Sequence, residues 1–199
     1  MVTARGLTSL RLRGKPVLYE IDQQDVVTKV DEAWDAFAQE NRADHLVGAG
    51  VVGSSLWRHI RQPETKQLYK ELLRRVRKFQ TSACLPFRCD SAAERRFLEL
   101  HIEPLGASQV RFVSTTTRIE ARDPVALFDW ETPRTADLLL VCGWCKKIQL
   151  FDDSWVEVEA AVRSLRLFDA ALPELTHGLC AHCFQQATLA LPPKRGAPT

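Results

Sequence analysis

Four of the six cysteines in this 199-residue chain fall in two identical pairs, Cys142-Gly-Trp-Cys145 and Cys180-Ala-His-Cys183. A two-residue spacer lets a tight turn aim two thiolates at one ion, and two such turns supply the four soft ligands of a closed tetrahedral zinc site. Cys142, Cys145, Cys180 and Cys183 are therefore the expected metal ligands, and zinc the expected cofactor. The 34 residues between Cys145 and Cys180 exceed the roughly 15 to 20 of a compact ribbon, so something folded must fill the gap. Asp153-Ser154 ahead of Trp155, Val158, Val162 and Leu165 predicts a capped amphipathic helix there.

Three other chemistries compete for the same cysteines. Cys-Gly-Trp-Cys after the apolar run Leu138 to Val141 also has the spacing of a thioredoxin-type dithiol, but too little chain follows for that fold. Covalent haem attachment needs histidine after the second cysteine, where Lys146 and Phe184 stand instead. Structural disulfides suit an oxidising compartment, and Met1 is followed by no apolar signal segment. The expected location is the cytoplasm, with the thiols kept reduced.

The elements that must position these residues belong to a globular chain. Hydrophobic residues make up 45% of it, and 27 basic against 25 acidic residues give a net charge of +2, so no global field argues for nucleic acid. No run approaches the roughly 18 apolar residues of a membrane span, so no membrane partner is expected. Residues 1–15, with Arg5, Arg11 and Arg13, form a basic leader. Val17 to Ile21 and Val26 to Val30 predict a hairpin around Asp22-Gln23-Gln24-Asp25. Trp34, Phe37 and Ala38 follow Asp31 at helical spacing, and serine can cap a short helix ending near Ile60.

Pro63 to Phe79 predicts the longest helix. Leu68, Leu72, Val76 and Phe79 fall within a sector about 80° wide, with Lys66, Lys70, Arg74 and Arg77 in another of similar width roughly opposite. That basic stripe is either a solvated face or a docking face for an acidic protein partner. Ala83 to Arg88, Phe97 to Ile102 and Val110 to Thr117 predict a three-stranded meander. The stretch from Pro124 to Ala136 breaks the periodicity and predicts a linker over residues 123–137, followed by a cysteine module over 138–190 and a disordered tail over 191–199. A short helix is expected from Phe184 to Leu191, and loss of one cysteine should unfold only the module.

Strand, strand, helices, a longer helix and three strands over residues 16–122 is the element order of a PAS sensor domain. Val30-Asp31-Glu32-Ala33-Trp34-Asp35-Ala36-Phe37-Ala38, Val52-Gly53-Ser54-Ser55-Leu56-Trp57, Leu68-Tyr69 with Arg74-Arg75-Val76-Arg77, and Pro86-Phe87-Arg88-Cys89-Asp90 resemble a bacterial PAS-like group. Cys142 to Ile148, Trp155 to Glu159 and Thr176-His177-Gly178-Leu179-Cys180 to Cys183 are similar to a second bacterial element, found after PAS or receiver domains in signalling proteins. The resemblance implies a small-molecule cavity between sheet and helices and a place in signal transduction, without the usual kinase or cyclase output domain.

The remaining candidates support little chemistry. Gly53 to Arg58 lacks the reactive cysteine of flavin photosensors, and Pro63 to Phe79 lacks the histidine common in haem sensors of this fold. His45 and His59 read as ordinary loop histidines. Cys84 and Cys89, at odd spacing, should point to opposite faces of a strand and share neither metal nor disulfide. Arg88, Asp90, Glu94, Arg95 and Arg96 read as a hairpin laced with surface charge, and no catalytic constellation is visible.

The expected fold is therefore α+β, a PAS-like antiparallel sheet with flanking helices plus a small helix-containing zinc module. The expected function is non-enzymatic signal transduction, through a small-molecule ligand, a signalling protein partner, or both, with a homodimer left open. A zinc-dependent nucleic-acid regulator and a thiol redox sensor are the alternatives. The first is disfavoured by the module's own charge, since Cys142 to Cys183 carries a net of −2.

Overall fold

The computed structural model describes residues 14–40, 43–60, 62–129, 131–167 and 171–191. The leader arginines and residues 192–199 lie outside them, while Leu191, the first residue of the expected tail, is buried in the core. The chain is α+β, with two sheets and five helices among the described residues.

The first sheet begins with β1 (Val17–Ile21) and β2 (Val27–Val30), paired antiparallel as expected. The Asp22 carboxylate closes their turn by accepting the N–H groups of Gln24 and Val26 at 2.9 Å each. Asp31 accepts the Trp34 N–H at 2.9 Å and so caps α1 (Glu32–Glu40). A four-residue helix, α2 (Gly48–Val51), follows where the Asp35 carboxylate accepts the Gly48 N–H at 2.6 Å. Gly50 is required there, because a Cβ would stand 2.5 Å from the His45 carbonyl oxygen. A single helical turn at Leu56–Arg58 is capped by Ser55, whose hydroxyl accepts the Trp57 N–H at 3.3 Å.

The long helix α3 (Pro63–Phe79) has the bounds its sequence predicts, with proline in the first turn and Gln80 in left-handed conformation just beyond its end. It buries Leu68, Leu72, Leu73 and Val76, so Leu73 joins the apolar sector while Phe79 stays only partly covered. β3 (Ala83–Arg88), β4 (Glu94–Pro104) and β5 (Val110–Ala121) form the meander, with β4 and β5 longer than their alternation suggests. The order is β2-β1-β5-β4-β3, antiparallel throughout. Ile21, Leu85, Ile102, Val110 and Phe112 cover α3 from its inner face, and Tyr19 stacks on Phe112 at 4.4 Å between ring centroids.

The second sheet is built from β6 (Arg134–Cys142), β7 (Ile148–Gln149), β8 (Trp155–Val156) and β9 (Leu172–Gly178), ordered β8-β7-β6-β9. Between β8 and β9 lies α4 (Val158–Ser164), and α5 (Ala181–Leu189) ends the described chain. The predicted cap at Asp153-Ser154 is not a helix cap. Asp152 turns back to accept the Ser154 N–H at 3.1 Å and its hydroxyl at 2.6 Å, and Asp153 sits at φ 63°. That turn folds Trp155 and Val156 onto β7 as a hairpin, so the helix starts at Val158 instead. α5 likewise begins before Phe184, at Ala181, because Cys180 supplies its cap.

Arg77 is a clamp within the fold. Its guanidinium donates to the Ser108 carbonyl at 2.8 Å and the Asp22 carbonyl at 2.8 Å, and pairs with Asp25 at 2.7 Å. Arg77→Ala is expected to destabilise the chain by about 1.5–3 kcal/mol, whereas Lys66→Ala should cost less than about 0.5 kcal/mol. Urea titration of both variants measures the contrast. Equal midpoints would mean the clamp contributes nothing.

Candidate metal centre

β6 and β9 run parallel with Cys142 opposite Gly178, so both strands deliver their C-terminal ends to the same edge. The turn after β6 carries Cys142 and Cys145, and the turn after β9 carries Cys180 and leads into α5, which carries Cys183. Lys146 at φ 62° tightens the first turn, and its N–H returns to the Cys142 carbonyl at 3.0 Å. The Gly143 N–H donates to the Gly178 carbonyl at 2.9 Å, tying one turn to the other.

All four predicted ligands meet. Their sulfurs lie within 4.8 Å of one another, with Cys145 Sγ and Cys180 Sγ 3.8 Å apart. A tetrahedron with metal–sulfur bonds near 2.3 Å has edges of about 3.8 Å, whereas a disulfide would need sulfurs about 2.05 Å apart. The four thiols are free of disulfides and suit a metal ion. The site is also shielded from solvent. Cys142, Cys180 and Cys183 are buried, with Cys145 half-buried. Backbone N–H groups approach the sulfurs as well: that of Cys180 donates to Cys142 Sγ at 3.5 Å, and that of Cys183 to Cys180 Sγ at 3.4 Å.

Crowding splits the proton affinities of these thiols. Hydrogen bonds from Cys145 and Cys183 hold Cys142 far below the usual thiol range, and its partners rise in compensation. Cys145 is pushed up to about 12 by its bond to Cys142, and Cys183 is pushed up by its bonds to Cys142 and Cys145. A divalent ion held by these four residues would replace the shared protons with one doubly charged centre facing all four sulfurs.

The module is packed against the first sheet. Cys142, Trp144, Cys180, Cys183, Ala187 and Leu191 belong to one apolar cluster with Leu72, Val76 and Phe112. Tyr69 of α3 meets Trp144 edge-on at 6.5 Å, and the Arg88 N–H at the end of β3 donates to the Trp144 carbonyl at 2.6 Å.

Charges reinforce this junction in a way sequence reasoning missed. Arg88 is a buried side chain that pairs with Asp90 and reaches Glu157 at 2.8 Å. Burial alone would lower its pKa, but hydrogen bonds to Asp90 and Glu157 hold it above the ordinary value. Arg95 reaches Glu159 at 2.6 Å, and Arg122 lies 3.3 Å from Asp90 and 3.5 Å from Glu159. Arg88, Asp90 and Arg95 are thus not simply a charged hairpin surface; Arg88 and Arg95 join the sheet to the segment around α4, and Asp90 holds Arg88 in place. Glu157 lies 69 residues from Arg88 and Glu159 lies 64 from Arg95, beyond any local pattern.

The basic stripe on α3 is only partly open. Arg77 is the clamp already described, and Arg74 holds Glu71 through two hydrogen bonds at 2.7 and 2.8 Å. Hydrogen bonds from Arg74 and Arg75 hold the Glu71 carboxyl down to about 2. Lys70 is exposed, its ammonium 5.5 Å from the Trp57 ring centroid, and Lys66 is half-buried. Lys66, Lys70, Arg74 and Arg77 do share one helix face, but two of the four are engaged within the chain.

A cavity of about 640 Å³ lies between α1 and the inner face of the first sheet. Tyr19, Trp34, Phe37, Phe87, Leu98 and Leu100 line it, with Arg96 and Cys89 among its polar groups. Tyr69 lines it too, and burial pushes its hydroxyl up to about 12. His45 is exposed, and His59 bonds the Ser54 hydroxyl at 2.8 Å, as loop histidines do. Cys84 faces outward and Cys89 lines the cavity, on opposite sides as the odd spacing requires.

No family model matches the chain, and no curated protein matches it. Among the described residues, no helix is long and apolar enough to cross a membrane.

Proposed function

We propose that the chain is a non-enzymatic signalling module, in which a PAS-like domain binds a small apolar ligand and a zinc-loaded module relays its presence to a protein partner. The observation that carries this reading is that cavity and cysteine site share a wall. Tyr69 borders the cavity and touches Trp144 of the first cysteine turn, and Phe87 borders it one residue before the Arg88 N–H that holds the Trp144 carbonyl. A ligand that displaces either side chain displaces the turn that carries Cys142 and Cys145.

Further support comes from the element order: two strands, short helices, α3, then a three-stranded meander is the order the resemblance to PAS domains implies. Zinc is the ion that four thiolates at tetrahedral spacing suit best, and thiols kept for a metal fit a reducing compartment such as the cytoplasm. Protein partners would meet the open part of the stripe around Lys66 and Lys70, where encounter is speeded by charge and weakened by salt.

The coupling is testable with cobalt in the cysteine site. Anilinonaphthalene sulfonate, an apolar dye with one anionic group, should bind the native full chain and shift the cobalt–thiolate absorption. Thr116→Trp, which fills the cavity from its sheet wall, should abolish both effects. Dye that saturates the cavity while the cobalt spectrum stays still would leave two units that do not communicate, and the proposal would fail.

A further inference from the structure

We propose that Cys84, Glu99 and His101 form a second metal site on the outer face of the first sheet, with three protein ligands and one open position, for a borderline divalent ion such as Zn²⁺. The antiparallel register of β3 and β4 sets Cys84 directly opposite His101, and Glu99 lies two residues before His101 on the same side of its strand. Period-two geometry therefore brings a thiol, a carboxylate and an imidazole onto one patch, although 15 residues or more separate Cys84 from the other two.

The distances fit an ion. His101 Nε2 lies 3.7 Å from Cys84 Sγ and 3.5 Å from a Glu99 oxygen, and the three ligand atoms lie within 4.8 Å of one another. Tetrahedral coordination at metal–sulfur, metal–nitrogen and metal–oxygen bonds of about 2.3, 2.05 and 2.0 Å places sulfur about 3.6 Å and oxygen about 3.3 Å from the nitrogen. One ring nitrogen faces both partners. A proton on that nitrogen could serve only one of them well, whereas an ion bound to it lies between both.

The surroundings leave the patch open to a cation. Besides Cys84, the residues directly opposite Glu99 and His101 are Pro86, Thr115 and Val113, none of which carries a positive charge. Thiolate and imidazole select ions of the zinc, cobalt and copper group over magnesium or calcium. Three protein ligands with a fourth position facing solvent is the arrangement of exchangeable zinc sites, in contrast to the closed four-cysteine centre. The two sites are independent, so failure of either leaves the other standing.

Cobalt titration of the full chain, with the four-cysteine centre first filled with zinc, tests this. The chain should take up one further cobalt ion, with thiolate-to-cobalt absorption in the near ultraviolet, while native mass spectrometry shows the zinc retained. His101→Ala should abolish saturable uptake, and Cys84→Ser should remove the thiolate absorption. Both positions lie on the sheet's outer face, and retained zinc in each variant reports that the fold survives. Absence of further uptake by the parent chain, or uptake that is unchanged in His101→Ala, would overturn the proposal.

Discussion

Cys142→Ser is expected to release the metal and to destabilise both sheets, lowering stability by at least about 4 kcal/mol and Tm by roughly 10 °C. Structural zinc contributes far more than this in isolated fingers, about 10–16 kcal/mol, but this module has a second apolar cluster around Val141, Ile148, Val158 and Leu172 to fall back on. A purely local collapse of residues 138–190 is what separate units would show. The packing argues otherwise, because Cys142, Cys180 and Cys183 share a cluster with Leu72 and Val76 of α3. Hydrogen exchange distinguishes the two outcomes. Protection should fall in α5 and β9 and also in β3 and the middle of α3; a change confined to the cysteine module would show that the junction carries no stability.

Arg88→Ala is expected to cost about 3–5 kcal/mol, because it leaves charges at the junction without their partner. Asp90 is fully covered and would keep only Arg122, itself a guanidinium whose pKa burial lowers more than Asp90 and Glu159 restore. Lys29→Ala, which removes an exposed lysine 3.7 Å from a Glu20 that Arg111 still holds, should cost less than about 0.5 kcal/mol. Arg88→Met keeps the stem packing and restores little if the charge network is what matters. Guanidinium unfolding of the three variants ranks them. An Arg88→Ala chain as stable as Lys29→Ala would mean that the sheets meet through apolar contact alone.

Local signals made part of this molecule readable in advance. Pro63 and the apolar spacing fixed α3, the paired spacers fixed four ligands, and alternation with polar turns fixed the meander. Where a residue answers to something distant, local pattern misleads. Trp155 and Val158 have helical spacing, yet the Asp152–Ser154 turn and pairing with β7 draw Trp155 into a strand. β9 carries Pro173 and Glu174, which blur its alternation; it can hold them because it is an edge strand. Arg88 looks like surface charge until Glu157 arrives from the N-terminal end of α4, and Cys84 meets His101 only once the register of β3 and β4 is known.

We propose that four cysteines from two strand ends hold one zinc ion that joins the halves of the fold. X-ray absorption of the purified full chain, dialysed free of loosely held ions, tests it most directly. Tightly held zinc surrounded by four sulfurs at about 2.3 Å is the expected result. A folded chain without metal, or zinc bound mainly by oxygen and nitrogen, would contradict it.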